Sequence, residues 1–271
     1  MNQPETDELT KRIDENLARI GNRLIVLSGK GGVGKTTVAV NIALALAQTG
    51  RRVGILDTDI HGPNVPLMLG IQEGEPAVVP DDGFLPFPGP LGIKVMSMAL
   101  LVKNAPIIWR GPLKAKAIME FLGNVNWGEL DWLVIDSPPG TGDEPLSIAQ
   151  QVKATIAIIV STPQEVSALD ARRALEFARM VNLRVIGIVE NMSEFICPHC
   201  GKASPLFPAG GAIRMAQELA VPVLARLPFI PQTAADADQG QAVVLAQPES
   251  LLALKFQQLA QQLLVGENKK L

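Results

Sequence analysis

The chain has 271 residues, a formal net charge of −3, 47% hydrophobic residues and 4% aromatic residues. A nucleic-acid surface needs basic residues and stacking aromatics, so this composition argues against a nucleic-acid partner. Two cysteines are too few for a secreted disulfide scaffold, and the polar start has no signal-peptide pattern. No apolar run is long enough to span a bilayer. We therefore expect a cytoplasmic protein without a membrane partner.

Apolar residues at helical spacing predict a helix over residues 7–20, within an N-terminal extension of residues 1–21. Residues 22–271 are predicted to form one domain in which strand and helix patterns alternate. The predicted strands are 23–28, 53–57, 92–97, 132–136, 155–160, 184–190 and 222–227. The predicted helices are 36–48, 111–122, 144–152, 164–180 and 210–220, with two more near the end. This alternation predicts an α/β fold, a mostly parallel sheet with helices on both faces.

A glycine-rich turn follows the first predicted strand of this domain and opens its first helix. Backbone N–H groups of such a turn close around phosphate oxygens, and the helix N-terminus adds partial positive charge. Lys35 can reach the β- and γ-phosphates, and the Thr36 hydroxyl can ligate Mg²⁺. The turn therefore predicts a nucleoside triphosphate site. Its residues are Gly29, Lys30, Gly31, Gly32, Val33, Gly34, Lys35, Thr36 and Thr37.

The second lysine of the turn, Lys30, makes it a deviant Walker A sequence. In this feature the chain resembles the MinD, ParA, ArsA and nitrogenase-iron-protein group of P-loop NTPases, the SIMIBI class. The resemblance implies a homodimer in which Lys30 reaches the nucleotide of the partner subunit and stabilises charge on the transferring phosphoryl group, as an arginine finger does elsewhere.

Carboxylates follow two of the predicted strands. Asp57 ends the strand 53–57 and Asp59 comes two residues later, and Asp136 follows four apolar residues before a Ser-Pro-Pro-Gly segment. A carboxylate in the position of Asp136 is a Walker B residue, which supplies a hard oxygen to Mg²⁺. Similarity to the deviant Walker A group implies that Asp59 orients the attacking water and that Asp57 lies near the magnesium shell. The catalytic residues implied in this way are Lys30, Lys35 and Asp59.

Adenine is the better prediction for the base, because the chain lacks the Asn-Lys-x-Asp tetrapeptide of GTPases. By the same resemblance, Asn191 takes the position of an adenine-contacting asparagine. Pro228 and Pro231 would form the other wall of the base pocket.

The two cysteines, Cys197 and Cys200, form a Cys-Pro-His-Cys-Gly motif in a stretch, residues 192–209, that we expect to be irregular. Such a turn aims two sulfurs at one metal, although a redox pair or two ordinary loop cysteines would share the pattern. A closed site needs four ligands. His199 lies between the cysteines and His61 belongs to the switch region, so one chain supplies half a site and a two-fold dimer supplies Cys₄.

These motifs together resemble the Mrp/ApbC family of ATP-binding iron–sulfur cluster carriers, from about residue 20 to 245. The resemblance implies a slow ATPase that uses ATP and Mg²⁺, holds a [4Fe–4S] cluster on Cys197 and Cys200 of two subunits, and passes it to apo iron–sulfur proteins. Many bacterial members carry a further N-terminal domain, for which residues 1–20 leave no room. Some eukaryotic relatives carry an N-terminal four-cysteine cluster, which is also missing from this sequence.

Two alternatives stay open at this point. A MinD- or ParA-type positioning ATPase would lack a cluster, and a structural zinc would use the same four thiolates. The leucine-rich tail, residues 249–265, has a glutamine-rich polar face with few basic residues, so it is predicted to dock on the sheet and not on a membrane.

Overall fold

The computed structural model describes residues 3–59, 62–71, 78–79, 83–97, 100, 111–140, 142–207 and 210–268. The helices are α1 (Gln3–Ala18), α2 (Lys35–Gln48), α3 (Val65–Met68), α4 (Gly111–Gly123), α5 (Asp143–Gln151), α6 (Glu165–Met180), α7 (Gly211–Glu218), α8 (Pro231–Asp238), α9 (Val243–Ala246) and α10 (Leu251–Asn268), with a 3₁₀ turn at Pro90–Gly92. The strands are β1 (Ile20–Ser28), β2 (Val53–Asp57), β3 (Val78–Val79), β4 (Gly83–Phe84), β5 (Phe87–Pro88), β6 (Lys94–Ser97), β7 (Leu130–Asp136), β8 (Ile156–Ser161), β9 (Arg184–Ile196), β10 (Ala203–Ser204) and β11 (Val223–Phe229).

The main sheet runs in the order β11-β9-β8-β1-β7-β2-β6-β5, with β10 paired to the far end of β9. The pairs from β11 to β6 are parallel, and β5 and β10 are antiparallel additions. Parallel strands bring their carboxyl ends to one edge, where open α/β sheets place their ligands. The predicted α/β fold with a mostly parallel sheet is confirmed.

Both faces of the sheet are covered because its central strands are apolar on both sides. On one face, Leu24 and Val26 of β1 pack with α2 and α10. On the other face, Ile25 and Leu27 pack with α1, α4 and α6. Each such side chain, fully buried, contributes roughly 1.5–3 kcal/mol to folding.

The tail helix α10 lies on the sheet, as predicted from its polar face. Its apolar stripe, Leu252, Phe256, Leu259 and Leu263, is buried in the same core as α2. No helix in the described ranges is both long enough and apolar enough to cross a bilayer.

Two segments differ from the sequence expectation. The first helix begins at Gln3, and residues 192–196, expected to be irregular, continue strand β9 to Ile196. Strand β9 is therefore 13 residues long, and its last residues extend beyond its pairing with β8, which ends at Glu190. The physical reason is that β11 and β10 supply pairing partners to this extension, which local sequence does not reveal.

Candidate functional site

The glycine-rich turn lies between β1 and α2 at the carboxyl edge of the sheet. Gly32 and Gly34 have positive φ angles of 77° and 83°, a conformation that favours glycine. Gly29 has a different reason to be glycine, since a Cβ atom there would lie 2.1 Å from the backbone carbonyl carbon of Asp170 in α6. The sequence of the turn is thus dictated by backbone conformation at two positions and by close packing at a third.

Asn191 of β9 lies directly beneath the turn. Its Nδ2 donates a hydrogen bond to the backbone oxygen of Val33 at 2.9 Å. A Cβ atom at Gly34 would lie 2.1 Å from the same Nδ2. Asn191, predicted as an adenine contact, is therefore placed here as a buried support of the phosphate-binding turn.

Asp136, at the end of β7, contacts both functional side chains at the start of α2. Its Oδ1 lies 2.5 Å from Nζ of Lys35, and its Oδ2 accepts a hydrogen bond from the Thr36 hydroxyl at 2.7 Å. The carboxylate is fully buried. Burial raises the pKa of Asp136, and the neighbouring Lys35 ammonium acts in the opposite direction.

Asp57, at the end of the adjacent strand β2, is buried beside Asp136. It accepts hydrogen bonds from the Ser97 hydroxyl at 2.9 Å and from the backbone N–H of Asp59 at 3.1 Å. Burial, and then the charge of Asp136, raise the pKa of Asp57 to about 8. Two carboxylates in one buried site disfavour each other's ionised form. Such a pair of acids is usual where a bound cation neutralises their charge.

The donor set fits Mg²⁺. Hydroxyl and carboxylate oxygens are its preferred protein ligands, and Thr36, Asp57 and Asp136 bring such oxygens together at the end of the turn. Asp59 is half-buried, and one of its carboxylate oxygens accepts the Gly62 N–H at 3.2 Å. His61 lies outside the described residues.

A cavity of about 440 Å³ lies over the turn. Of the predicted site residues, its lining contains Lys30, Gly31, Gly32, Gly34, Lys35, Thr36, Thr37 and Asp59. The remaining predicted nucleotide-site residues, Gly29, Val33, Asp57, Asp136, Asn191, Pro228 and Pro231, are not part of the lining.

The lining also includes residues that the sequence did not single out. These are Met192 and the side of α8 formed by Ala234, Ala237 and Asp238, whereas Pro139, which also faces the cavity, belongs to the Ser-Pro-Pro-Gly segment noted in the sequence. Pro228 and Pro231 flank Phe229 and Ile230 at the junction of β11 and α8, the helix that contributes Ala234, Ala237 and Asp238 to the lining. Met192 carried no signal except its place beside Asn191.

The cysteine motif forms the tip of a hairpin between β9 and β10. The backbone N–H of Cys197 donates to the oxygen of Lys202 at 3.1 Å, and that of Gly201 donates to the oxygen of Cys197 at 2.9 Å. Gly201 has a φ of 67°, which closes the turn. Cys197 is half-buried and Cys200 is exposed, and both are free thiols.

Backbone geometry of this turn favours a thiolate. The backbone N–H groups of Cys200 and then His199 donate to the sulfur of Cys197, and they lower the pKa of its thiol. A thiolate is the form that binds metals. Within the described ranges, no three His, Cys, Asp or Glu side chains are grouped to hold a metal, so the hairpin presents two sulfurs and a site of higher coordination needs ligands from elsewhere.

Strand β9 connects the two sites. Asn191 supports the phosphate-binding turn, and Cys197 follows the end of the same strand at the hairpin tip. Met192, between them, has a φ of 54°, and the pairing with β11 shifts register after Leu227. The strand is therefore bent at the residue that faces the nucleotide cavity.

Residues 19–264 match the model of the ParA family, described as NUBPL iron-transfer P-loop NTPase. The chain belongs to this family. The resemblance inferred from the motifs is thereby confirmed, and the protein is a P-loop NTPase.

Proteins named iron–sulfur cluster carrier protein are among its relatives. The one from Methanocaldococcus jannaschii is 47% identical over 249 residues, covering 89% of this chain and 86% of the relative. The one from Pseudomonas fragi is 47% identical over 246 residues, covering 90% and 85%.

Solved structures agree with the fold. A nucleotide-binding protein from Archaeoglobus fulgidus, in complex with ADP, superimposes with a TM-score of 0.78 at 42% identity, covering 89% of this chain and 94% of that one. The septum site-determining protein MinD of Pyrococcus horikoshii, with Mg-ADP, gives a TM-score of 0.68 at 23% identity, covering 93% and 100%, which supports the fold alone.

Proposed function

We propose that this NTPase is an ATP-dependent carrier that holds a [4Fe–4S] cluster as cargo between two copies of the chain and transfers it to apo iron–sulfur proteins. The observation that carries the proposal is the hairpin of Cys197 and Cys200 at the same sheet edge as the phosphate-binding turn. The printed names of its relatives support it, since they are iron–sulfur cluster carrier proteins.

The dimer follows from ligand number. Iron–sulfur clusters are held by thiolates, usually four, and each chain contributes two. A two-fold axis brings the same surface of both subunits together, so two exposed hairpins would meet and complete the ligand set. The position of Cys200 on the surface supports this arrangement, because a solvent-exposed sulfur can be shared without rebuilding the core.

The nucleotide proposed for the cavity is ATP with Mg²⁺. Lys35 would bind the β- and γ-phosphates, and Thr36 and Asp136 would hold the metal ion. Asp57 would add a second carboxylate close to that ion. The metal ion supplies charge neutralisation for the phosphates. In the described structure, Lys35 and Thr36 both bond Asp136, so nucleotide binding requires this three-way contact to rearrange.

Hydrolysis would use residues at the rim of the cavity. Asp59 would orient water for attack on the γ-phosphorus, which yields ADP and inorganic phosphate. Lys30, which lines the cavity, would act on the nucleotide of the partner subunit in the closed dimer. Nucleotide state would then control how the two hairpins meet.

The test is the metal content of the full chain purified without oxygen. Iron, acid-labile sulfide and zinc are measured per dimer for the natural chain, for Cys197→Ala/Cys200→Ala and for His199→Ala. We expect about four iron and four sulfide per dimer, lost in the double variant. They should be kept in His199→Ala, because the backbone N–H of residue 199 is retained and His199 is not a ligand.

Other outcomes would overturn parts of the proposal. One zinc per dimer without sulfide would make the hairpin pair a structural clasp. A cluster that survives in the double cysteine variant would place its ligands elsewhere. Transfer is tested separately, by the gain of cluster in an apo-ferredoxin mixed with the loaded carrier in the presence and absence of ATP.

A further inference from the structure

A second, larger cavity lies at the opposite edge of the sheet from the nucleotide site. It has a volume of about 670 Å³ and is enclosed by the amino ends of β1, β7, β8 and β9 and by the C-terminal half of α10. Along β1, Asn22 lines this cavity while Ser28 lines the nucleotide cavity, a separation of about 20 Å at the usual rise per strand residue. It is therefore a distinct site.

The first notable group in its wall is the indole of Trp132. This side chain is 1% exposed, and its N–H has no hydrogen-bond partner. The contrast with Trp127 is informative, since that buried indole donates to the backbone oxygen of Phe121 at 3.0 Å. Buried donors are nearly always paired, so the Trp132 N–H indicates a missing acceptor.

The second group is the guanidinium of Arg184, at the start of β9. Arg184 is exposed at the mouth of the cavity that it lines, and within the described ranges its guanidinium makes no hydrogen bond or ion pair. The charge of the acid in the wall, Glu267, is matched by Arg51 at 3.2 Å, and its Oε1 accepts a hydrogen bond from Asn22 at 3.0 Å, while its Oε2 makes no hydrogen bond. The charge left without a counterion in this cavity is therefore positive, and it favours an anion.

The wall between these two donors is partly apolar. Thr155, Ile156 and Asn22 line it on the sheet, Leu259 and Leu263 of α10 supply an apolar side, and the size is within the range of small-molecule sites. Arg184 and Trp132 lie on strands separated by β8 and β1, three strand spacings or roughly 14 Å apart. A ligand that reaches both donors must be long and narrow.

We propose that this cavity binds an elongated apolar carboxylate with one further hydrogen-bond acceptor at its far end. The carboxylate pairs with Arg184, the apolar chain lies along the leucines, and the second acceptor takes the N–H of Trp132. This site is independent of the proposed cluster and nucleotide chemistry, since it shares no residue with either.

The test uses 10-hydroxydecanoate as the probe, with decanoate and 1-decanol as matched compounds that each lack one polar end. Binding to the nucleotide-free full chain is followed by tryptophan fluorescence and by calorimetry. We expect saturable binding of one probe per chain, tighter for 10-hydroxydecanoate than for decanoate, and weakest for 1-decanol.

Two variants assign the ends. Arg184→Ala should weaken both acids about tenfold or more, the usual effect of losing a charged hydrogen bond. Arg12→Ala, which changes an exposed arginine of α1 outside the cavity, should change nothing. Trp132→Phe should remove the advantage of 10-hydroxydecanoate over decanoate together with the ligand-induced fluorescence change.

The proposal is overturned if 10-hydroxydecanoate shows no saturable binding, if Arg184→Ala binds as the natural chain does, or if 1-decanol binds as tightly as the acids. Should Trp132→Phe fail to fold, the comparison of Arg184→Ala with Arg12→Ala still decides the anionic end, and the comparison of the two acids decides the other.

Discussion

The contact between Asn191 and the phosphate-binding turn allows a quantitative test of how the turn is held. In the variant Gly34→Ala, the new Cβ atom would lie 2.1 Å from Nδ2 of Asn191, far inside contact distance. The asparagine must therefore move away, and its hydrogen bond to the Val33 oxygen is lost. The φ of 83° at position 34 adds strain for any residue with a Cβ atom.

The expected loss in the free energy of unfolding has two parts. A left-handed backbone costs a non-glycine residue about 1–2 kcal/mol. Loss of a buried hydrogen bond costs about 1–3 kcal/mol. Gly34→Ala should thus destabilise by about 2–5 kcal/mol, and Asn191→Ala by the hydrogen-bond part alone.

The double variant Gly34→Ala/Asn191→Ala loses the hydrogen bond only once, so it should be little worse than Gly34→Ala. The two single effects should therefore exceed the double effect by about 1–3 kcal/mol, a coupling typical of residues in contact. Urea unfolding of the nucleotide-free protein, followed by circular dichroism, measures all four proteins.

Gly32→Ala is the matched control, because its φ is 77° but no heavy atom lies within 4 Å of the position of its Cβ. Gly32→Ala should lower the free energy of unfolding only by the backbone strain, and its effect should add to that of Asn191→Ala. Additivity of Gly34→Ala with Asn191→Ala would refute the reasoning, because it would show that the asparagine does not support the turn.

Three further predictions concern other groups of the two sites. Gly29→Ala should destabilise by about 1–3 kcal/mol because its Cβ would collide with the backbone of Asp170; Gly31→Ala, whose nearest atom would be 3.9 Å away, should stay within about 0.5 kcal/mol in urea unfolding. Because the pKa of Asp57 is raised to about 8, its contribution to stability is complete below its unfolded pKa near 4 and is lost as the pH rises through about 8. Asp57→Asn should flatten the fall in unfolding free energy between those pH values, and an unchanged slope would contradict the assignment. Because backbone donors lower the pKa of Cys197, iodoacetamide should alkylate it in Cys200→Ser with a midpoint pH below that of an unstructured cysteine peptide measured alongside, and an equal or higher midpoint would count against the turn geometry.

The sequence predicted the elements whose signals are local. The glycine-rich turn, the apolar strand before Asp136 and the helix of residues 36–48 depend on short patterns, and the corresponding elements lie where those patterns place them. The sheet could be inferred because alternating strands and helices leave few topologies.

Features set by contacts between distant residues were not predictable in this way. The extension of β9 depends on β10 and β11, and nothing in its residues marks a strand that leaves the sheet. The positive φ of Met192 is unusual for its residue type and follows from tertiary pairing. The placement of Asn191 beneath Gly34 likewise depends on how β9 packs against the glycine-rich turn that follows β1. The two residues are 157 positions apart in the chain.

Because the bent strand β9 joins the phosphate-binding turn to the cysteine hairpin, any energetic coupling between the two sites must be reciprocal. Asn191 and Cys197 are six positions apart, about 20 Å for extended chain, and no loop separates them. Any shift of the phosphate-binding turn that favours one position of the cysteine hairpin must be matched, in equal free energy, by an effect of the hairpin on nucleotide affinity. A ligand held by the two thiols would then be sensed at the nucleotide site to the same degree that the nucleotide is sensed at the thiols. The ratio of the two nucleotide affinities, with and without a thiol ligand, measures that coupling directly.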